Sequence, residues 1–239
     1  LKLEVKNGRT LEEAEASDAP FEEDSLDLSP LQKLTALESL DVICEAQTAS
    51  HESLCVLPAL EELHIRSYGE ITVPDFRHPE KLSVLEFVTP VSTTSAFGLK
   101  NYLRLGRLTN LKSLTLHSCS FILDDGVEQD LHFLSPLRQL RLLDLRYSDM
   151  PGGLNLAGLE NLKQLEVLNL AGWDGGITRW SNNRNQPEFV DLLPLLASLE
   201  NLRELDLSRK APTIPINVTP LGKLRKLERI ELDQTEVKG

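Results

Sequence analysis

The sequence predicts an α/β solenoid in which short repeat units stack and pair their strands into one parallel sheet. Three observations lead to this fold class. Leucine and similar apolar residues recur in the order Leu-x-x-Leu-x-x-Leu-x-Leu along the chain. Successive copies are separated by between 22 residues (Leu63 to Leu85) and 37 residues (Leu168 to Leu205). No single copy can bury its apolar row, so the copies must stack to form a shared core.

The copies run through most of the chain and differ only in which apolar residue fills each position. In chain order they are Leu34-Leu37-Leu40-Val42, Leu57-Leu60-Leu63-Ile65, the shorter Leu82-Leu85-Phe87, Leu108-Leu111-Leu114-Leu116, Leu137-Leu140-Leu143-Leu145, Leu162-Leu165-Leu168-Leu170, Leu199-Leu202-Leu205-Leu207 and Leu224-Leu227-Ile230-Leu232. The first residues, Leu1-Lys2-Leu3, are interpreted as the end of one more copy.

The two spacings inside each copy predict different local structures. The final Leu-x-Leu has the period of a β-strand, so both leucines lie on one face and the residue between them lies on the other. The three-residue spacing before it fits a tight turn that leads into the strand. We therefore expect about eight or nine short strands in a curved parallel sheet on the concave side of the solenoid.

The segments between strands predict a mixed convex side. Short intervals leave room only for extended chain or a 3₁₀ turn, whereas longer intervals admit a helix. We expect one helix to begin at Asp125 and to place Val127, Leu131 and Leu134 inward. Another helix is expected after Pro187, with Leu193 and Leu196 on its apolar side.

These copies resemble the leucine-rich-repeat family. Two of them follow the family pattern through its last positions: Leu111-Leu114-Leu116-Cys119-Phe121 and Leu227-Ile230-Leu232-Thr235-Val237. The resemblance implies that the side chains of Cys119 and Thr235 bond to the backbone where the strand turns away. Other copies have Glu, Tyr, Pro, Ser, Trp or Lys at this position, so irregular turns are expected.

The subclass of repeat stays open at this point. Pro-Leu pairs such as Pro30-Leu31 and Pro136-Leu137 resemble the short repeats of bacterial internalins and of phosphatase-regulating repeat proteins. The segment 57–63 equally resembles the sensor repeats of intracellular immune receptors. Both short and longer repeats are present.

Residues 1–239 are predicted to form a single repeat domain that is a segment of a longer protein. Two segments depart from the repeat pattern. Residues 11–27 contain eight Asp and Glu residues and no Lys or Arg, which predicts an acidic loop. Residues 171–187 form an insertion rich in Trp, Gly and Asn that holds both tryptophans of the chain, Trp173 and Trp180.

Composition limits the class of partner and the compartment. The formal net charge of −12 disfavours nucleic acid, which requires clustered Lys and Arg. No apolar run is long enough to span a membrane, so no membrane partner is expected. Three cysteines without a motif favour a reducing, intracellular (cytoplasmic) location, although the acceptor pattern Asn217-Val218-Thr219 argues for secretion.

Catalytic motifs are missing from the sequence. There is no P-loop, no GxSxG, no HExxH and no CxxC pair, and the five histidines are scattered. We therefore predict that the chain is not an enzyme, binds no cofactor or metal, and has no small-molecule substrate.

The strand register predicts which side chains face outward on the concave side. The position between the paired leucines is Asp or Glu in five copies of eight, which predicts an acidic stripe that selects a basic partner surface; alternatively, Asp is simply common at this position. Outward positions near the centre, together with the insertion, give the candidate partner-binding residues. They are His117, Leu142, Asp144, Arg146, Tyr147, Asn169, Trp173, Trp180, Asp206 and Glu231.

Two functions fit these observations. The first is a protein–protein interaction module, as part of a scaffold, receptor or effector, which binds another protein through the concave sheet face and adjacent loops. The second is a sensor or specificity arm that regulates an enzyme domain outside this segment, as in immune receptors or phosphatase regulators.

Overall fold

The computed structural model describes residues 2–7, 25–44, 48–49, 51–67, 69–89, 98–121, 131–148, 156–172, 193–208, 216–235 and 237–238. The strands within these ranges, in chain order, are β1 (Lys2–Asn7), β2 (Ser25–Leu26), β3 (Ser39–Cys44), β4 (Thr48–Ala49), β5 (Glu62–Ser67), β6 (Ile71–Thr72), β7 (Val84–Val88), β8 (Gly98–Lys100), β9 (Ser113–His117), β10 (Ser120–Phe121), β11 (Leu142–Asp144), β12 (Val167–Asn169), β13 (Glu204–Asp206), β14 (Ile216–Asn217), β15 (Arg229–Glu231) and β16 (Val237–Lys238).

One curved, nine-stranded parallel sheet organises the described chain. Its strand order is β1-β3-β5-β7-β9-β11-β12-β13-β15, so each strand pairs with those of the copies before and after it. Leu3 lies opposite Leu40, which makes the fragment at the start of the sequence a ninth copy. The predicted fold class and the parallel pairing are confirmed.

The leucine rows form the core beneath this sheet. Leu40, Leu114 and Leu143 are fully buried, and Leu205 is nearly so. From β3 to β13, the leucine three positions before the central strand leucine is also buried, as at Leu140, whereas its counterpart in the last copy, Leu227, is half-buried. The predicted inward face of the strands is therefore correct, and the burial of these side chains supplies most of the driving force for stacking.

The side opposite the sheet is built mainly from short 3₁₀ helices. They span Ser29–Lys33, His51–Val56, Tyr102–Arg107, His132–Leu134, Leu159–Asn161 and Thr219–Lys223, and one α-helical turn, α1, spans Leu193–Leu196. All but the first bury apolar residues in the core, for example Leu54 and Leu105, and Leu31 of the first is partly buried against it. Repeat intervals this short fit a 3₁₀ helix better than several turns of α-helix.

The two helices expected from the sequence lie partly outside the described residues. The start near Asp125 falls in the gap between residues 121 and 131, and Pro187 falls in the gap between residues 172 and 193. Leu131, Leu134, Leu193 and Leu196 are buried, as expected for their inward positions.

Three smaller parallel sheets lie beside the main one, where the chain leaves the strands. β6, β8 and β10 form a three-stranded sheet, and the pairs β2–β4 and β14–β16 form two-stranded sheets. Their residues follow the main strands in several successive copies, so the backbone of the turns is paired as well as that of the strands.

Candidate functional site

The exposed side of the nine-stranded sheet, called the sheet face below, carries the side chains that alternate with the buried leucines. The observed pairing places the predicted central row in register across the sheet. This row is Asp41, His64, Glu86, Thr115, Asp144, Asn169, Asp206 and Glu231. The sequence therefore predicted correctly which residues are neighbours on this face.

Three members of the central row have a structural task that their position alone did not reveal. The side-chain Oδ1 of Asp144 accepts a hydrogen bond from the backbone N–H of Arg146 at 3.0 Å. Asn169 and Asp206 make the same contact, at 2.9 Å each, with the N–H of the residue two positions ahead. Such Asx turns direct the chain away from the strand. Asp and Asn are thus favoured here for local backbone reasons.

Asp144 departs from the prediction because it is not an accessible contact residue. Its side chain is 8% exposed, and its Oδ2 accepts a hydrogen bond from Nε of Arg146 at 2.8 Å. A buried carboxylate requires such partners to offset its lost hydration. Asp144 therefore positions Arg146, and Arg146 presents the exposed charge.

The predicted acidic stripe contains cations as well as carboxylates. Glu86 lies 3.3 Å from His64 Nδ1 and 3.8 Å from an Arg66 nitrogen. At the other end of the sheet, Arg229 pairs with Glu204 and with Glu231. Exposed pairs of this kind contribute little to stability. They do reduce the negative potential that the carboxylates would otherwise present to a partner.

An aromatic pair lies near the middle of the sheet face. The rings of His117 and Tyr147 have centroids 5.7 Å apart with an angle of 36° between their planes. Tyr147 is 41% exposed, and among the described residues only Leu103, Ile230 and Val237 are large apolar side chains of similar exposure. Leu142 lies between Ser113 and Val167 in the sheet and is half-buried.

The aromatic pair depends on a backbone conformation that recurs along the solenoid. Tyr147 has φ of 56°, and Ser118, Gly172 and Gln234 adopt similar left-handed values at the matching place in their own copies. Positive φ is sterically unfavourable for residues that have a Cβ, whereas glycine adopts it readily. The presence of Tyr at this position puts its ring on the open surface at the end of β11.

Backbone hydrogen bonds continue the sheet through these turns. The N–H of Ser118 donates to the carbonyl of Arg146 at 3.0 Å, and the N–H of Tyr147 donates to the carbonyl of Ala171 at 2.7 Å. The N–H of Gly172 then donates to the carbonyl of Ser208 at 2.8 Å. The turn that carries Tyr147 is therefore held on both sides.

Electrostatics favour the neutral form of the central histidine. Burial lowers the pKa of His117 below its usual value, and the neighbouring guanidinium of Arg146 lowers it further, against smaller opposing effects of Asp144 and Glu86. His117 can then act as a hydrogen-bonding and stacking group without adding a charge to the surface at neutral pH.

The family resemblance implies that the side chains of Cys119 and Thr235 bond to the backbone, and both make such contacts. Cys119 Sγ lies 3.6 Å from the carbonyl of Phe87, and Thr235 Oγ1 donates to the carbonyl of Leu207 at 3.0 Å. Ser148 donates to the carbonyl of Leu116 in the same way. Thr89 makes a different contact, because its hydroxyl donates to the carbonyl of Ser118 in the following copy.

The described residues also bear on metal binding, thiol reactivity and membrane crossing. Within these ranges no three His, Cys, Asp or Glu side chains are grouped so that they could hold a metal ion. Burial raises the pKa of the Cys119 thiol to about 12, so this group is no nucleophile at neutral pH. No helix among the described residues is long and apolar enough to cross a membrane.

Two predicted segments lie outside the described residues. Trp173 and Trp180, with the rest of the insertion beyond residue 172, belong to the first. The acidic loop at residues 11–27 belongs to the second, except for its last three residues. Of the ten predicted partner-binding residues, the described chain brings together His117, Arg146 and Tyr147. Leu142 lies at the start of β11, opposite Ser113 and four residues along the sheet from His117. Asn169, Asp206 and Glu231 lie toward the end of the sheet.

Comparison with solved structures identifies the architecture. An internalin of Listeria monocytogenes superimposes with a TM-score of 0.62 at 20% sequence identity, over 90% of this chain and 53% of the internalin. A leucine-rich-repeat protein of Leptospira interrogans matches with a TM-score of 0.55 at 19% identity, over 87% of this chain and 45% of that protein. The chain has the leucine-rich-repeat fold.

Plant receptors share this leucine-rich-repeat fold. The ectodomain of the Arabidopsis receptor kinase HAESA, in complex with a peptide hormone ligand, matches with a TM-score of 0.55 at 22% identity, over 89% of this chain and 33% of the receptor. The chain spans about half the length of the internalin and of the Leptospira protein. No family model and no curated protein sequence matches the chain.

Proposed function

We propose that this leucine-rich-repeat chain is a protein-binding module whose partner docks on the sheet face around His117, Arg146 and Tyr147. The single observation that carries this proposal is the exposed ring of Tyr147, which lies beside the half-buried ring of His117 on the sheet face. Tyr and Arg are the residues most often found at the energetic centres of protein interfaces.

The position of Tyr147 strengthens the argument. Its left-handed backbone would cost less with Gly or Asn, and the matching position of the next copy is Gly172. An aromatic side chain that is both exposed and conformationally costly adds little to stability. A binding role explains why tyrosine is present at position 147, because a partner that covers the ring gains its apolar contact area.

Arg146 adds a positioned charge to this aromatic pair. Its guanidinium is held by Asp144, so a partner that accepts hydrogen bonds from it does not have to order a free side chain. The Arg146 side chain remains 44% exposed. Tyr147, His117 and Arg146 therefore offer aromatic, apolar and hydrogen-bonding contacts within one patch.

A second candidate function is that the chain forms the sensing or specificity arm of a longer regulatory protein. HAESA, a receptor kinase, has an ectodomain of the same fold and was solved with a peptide hormone and a co-receptor. In both candidates the sheet face binds a protein or peptide. They differ in whether binding changes the activity of another domain, which is measurable in the full-length protein with and without the partner.

The proposal is tested by using the purified chain as bait in extracts of the source organism. The parent chain, Tyr147→Ala, Arg146→Ala and a control, Lys163→Ala, are compared after melting curves confirm that each is folded. Lys163 is exposed and lies before β12, away from the sheet face. We expect a protein that the parent and Lys163→Ala retain and that the two sheet-face variants lose. Retention by all four baits contradicts docking at this patch.

A further inference from the structure

A polar depression of about 220 Å³ lies on the sheet face, across β12, β13 and β15, and is bounded on the β11 side by Arg146, the residue before Tyr147. Its floor is formed by the strands themselves. The polar side chains that line it, together called the polar depression below, are Arg146, Asn169, Glu204, Asp206, Arg229 and Glu231. Glu204 and Arg229 were not among the residues predicted from the sequence.

The Asx turns fix the orientation of the two side chains at the centre of the polar depression. Because Asn169 Oδ1 accepts the Ala171 N–H, its Nδ2 group points the other way, and the assignment of the two amide atoms is settled by a backbone donor. Asp206 Oδ1 likewise accepts the Ser208 N–H, which leaves Oδ2 directed away from the turn.

Asn169 Nδ2 and Asp206 Oδ2 take no hydrogen-bond partner among the described residues. The two residues are direct neighbours on adjacent parallel strands. They therefore present a hydrogen-bond donor beside a charged acceptor, about 5 Å apart by the spacing between strands. The two groups differ in position across the sheet: the donor, Asn169 Nδ2, lies on the β11 side, and the acceptor, Asp206 Oδ2, lies on the β15 side.

The charged residues around this pair reinforce this difference. On the β11 side, the guanidinium of Arg146 adds further donors, held in place by Asp144. On the β15 side, the Asp206 carboxylate lies with Glu204 and Glu231, and Arg229 is shared between those two glutamates. Carboxylates thus outnumber cations at the β13 and β15 end, and donors dominate at the β11 and β12 end.

We propose that the polar depression binds an extended peptide segment of the partner that carries one acidic and one basic side chain, two residues apart. The acidic side chain accepts hydrogen bonds from Arg146 and Asn169 Nδ2. The basic side chain pairs with Asp206. This inference rests on the proposed function and specifies the chemistry that the partner must present.

The spacing of the polar depression fits such a segment. Arg146 folds back onto Asp144, so its guanidinium lies about two strand spacings, or roughly 10 Å, from Asp206. In an extended peptide, side chains two residues apart lie on the same side and about 7 Å apart. A Lys or Arg side chain is long enough to cover the remaining distance.

The test selects random linear peptides displayed on phage against the immobilised chain and measures the affinity of the enriched peptides. We expect these peptides to carry an acidic and a basic residue two positions apart. Two isosteric variants then probe the contacts, Asn169→Asp and Asp206→Asn. Both keep the Oδ1 atom that closes the Asx turn, so each is expected to fold. Each variant should weaken binding about tenfold or more, because a charge-assisted hydrogen bond is lost or a like charge is introduced.

A double-mutant cycle separates direct contact from a general charge effect. Replacing the basic residue of the peptide by Gln should weaken binding to the parent but not further weaken binding to Asp206→Asn. Asp233→Asn is the matched control, since Asp233 is exposed on the sheet side of the last repeat and does not line the polar depression. It should leave the affinity nearly unchanged.

Three outcomes overturn the inference. These are no enriched peptides, enriched peptides without the charge pair, and equal losses at Asp206→Asn and Asp233→Asn without coupling to the peptide. The proposed function survives each of them if the captured protein still depends on Tyr147. It fails together with the inference if neither peptide nor protein binding responds to any sheet-face variant.

Discussion

The ring of Tyr147 lies in the space that a side chain at position 172 would occupy, because Gly172 faces Cδ1 and Cε1 of that ring. Gly172 also has φ of 77°, in the left-handed region. Two adjacent copies of the repeat are therefore complementary. One supplies the large exposed ring of Tyr147, and the next has glycine, the one amino acid that lacks a Cβ, where that ring packs.

This match predicts the effect of Gly172→Ala. The new methyl group must displace the Tyr147 ring and adopt an unfavourable backbone, so the free energy of unfolding should fall by about 1 kcal/mol or more. Affinity for the partner should fall as well, although Tyr147 itself is unchanged. Chemical denaturation and a binding isotherm measure both effects.

Gly222→Ala is the matched control for this experiment. Position 222 has no heavy atom within 4 Å of an added Cβ and no left-handed φ. The Gly222→Ala variant should have an unchanged or slightly higher free energy of unfolding, since alanine reduces the entropy of the unfolded chain. Equal effects of the two substitutions would disprove the packing of Tyr147 on Gly172.

The stacked leucine core predicts a large difference between two identical substitutions. Leu143 is fully buried in β11, whereas Leu103 on the opposite side of the solenoid is 48% exposed. Leu143→Ala should leave a cavity and cost about 2–5 kcal/mol of unfolding free energy, whereas Leu103→Ala should change it by about 0.5 kcal/mol or less. Urea unfolding of both variants tests this, and similar losses would contradict the register.

A buried histidine predicts acid sensitivity. His51 is 1% exposed, and neither of its ring nitrogens has a hydrogen-bond partner among the described residues. Burial lowers its pKa to about 4 against a smaller opposing effect of Glu52. The folded-state pKa lies below the unfolded value, so the stability contributed by neutral His51 is lost as pH falls below about 6.5. Between pH 7.5 and pH 5 the expected loss is about 2 kcal/mol.

His51→Leu isolates this contribution. Leucine keeps an apolar side chain at the site and cannot be protonated, so the variant should lose less stability than the parent over the same pH range. Urea unfolding of the two proteins at both pH values gives the difference. If the parent and the variant show the same pH dependence, His51 does not titrate with a lowered pKa.

The sequence predicted the sheet face better than it predicted how its residues are used. The Leu-x-Leu pairs determined the register from Asp41 to Glu231, because a period of two leaves no choice of face. The Asx turns of Asp144, Asn169 and Asp206 were not predicted, because the same residue types also suit a solvated strand. The left-handed turn at Tyr147 was also not predicted. A glycine would indicate such a turn, but at this position of the repeat glycine occurs only in the next copy, as Gly172.

The interleaved charges lead to a revised salt prediction. Glu86, Asp144 and Glu231 have arginine neighbours, so the acidic stripe is weaker than the sequence suggested. We still expect the association rate with the partner to fall as salt rises from about 50 mM to about 500 mM, because net charge steers encounter. Asp206→Asn should make that fall less steep in stopped-flow measurements. A rate independent of salt would remove any role for charge in recognition.

The central claim is that the partner covers the sheet face, and hydroxyl-radical footprinting of the complex tests it most directly. Tyr147 on the sheet face and Leu103 on the opposite side are comparably exposed in the free chain, at 41% and 48%, so both should be oxidised without a partner. With the captured partner bound, we predict strong protection of Tyr147 and His117 and unchanged oxidation of Leu103. Protection of Leu103 with continued oxidation of Tyr147 would contradict the account and place recognition on the side of the 3₁₀ helices.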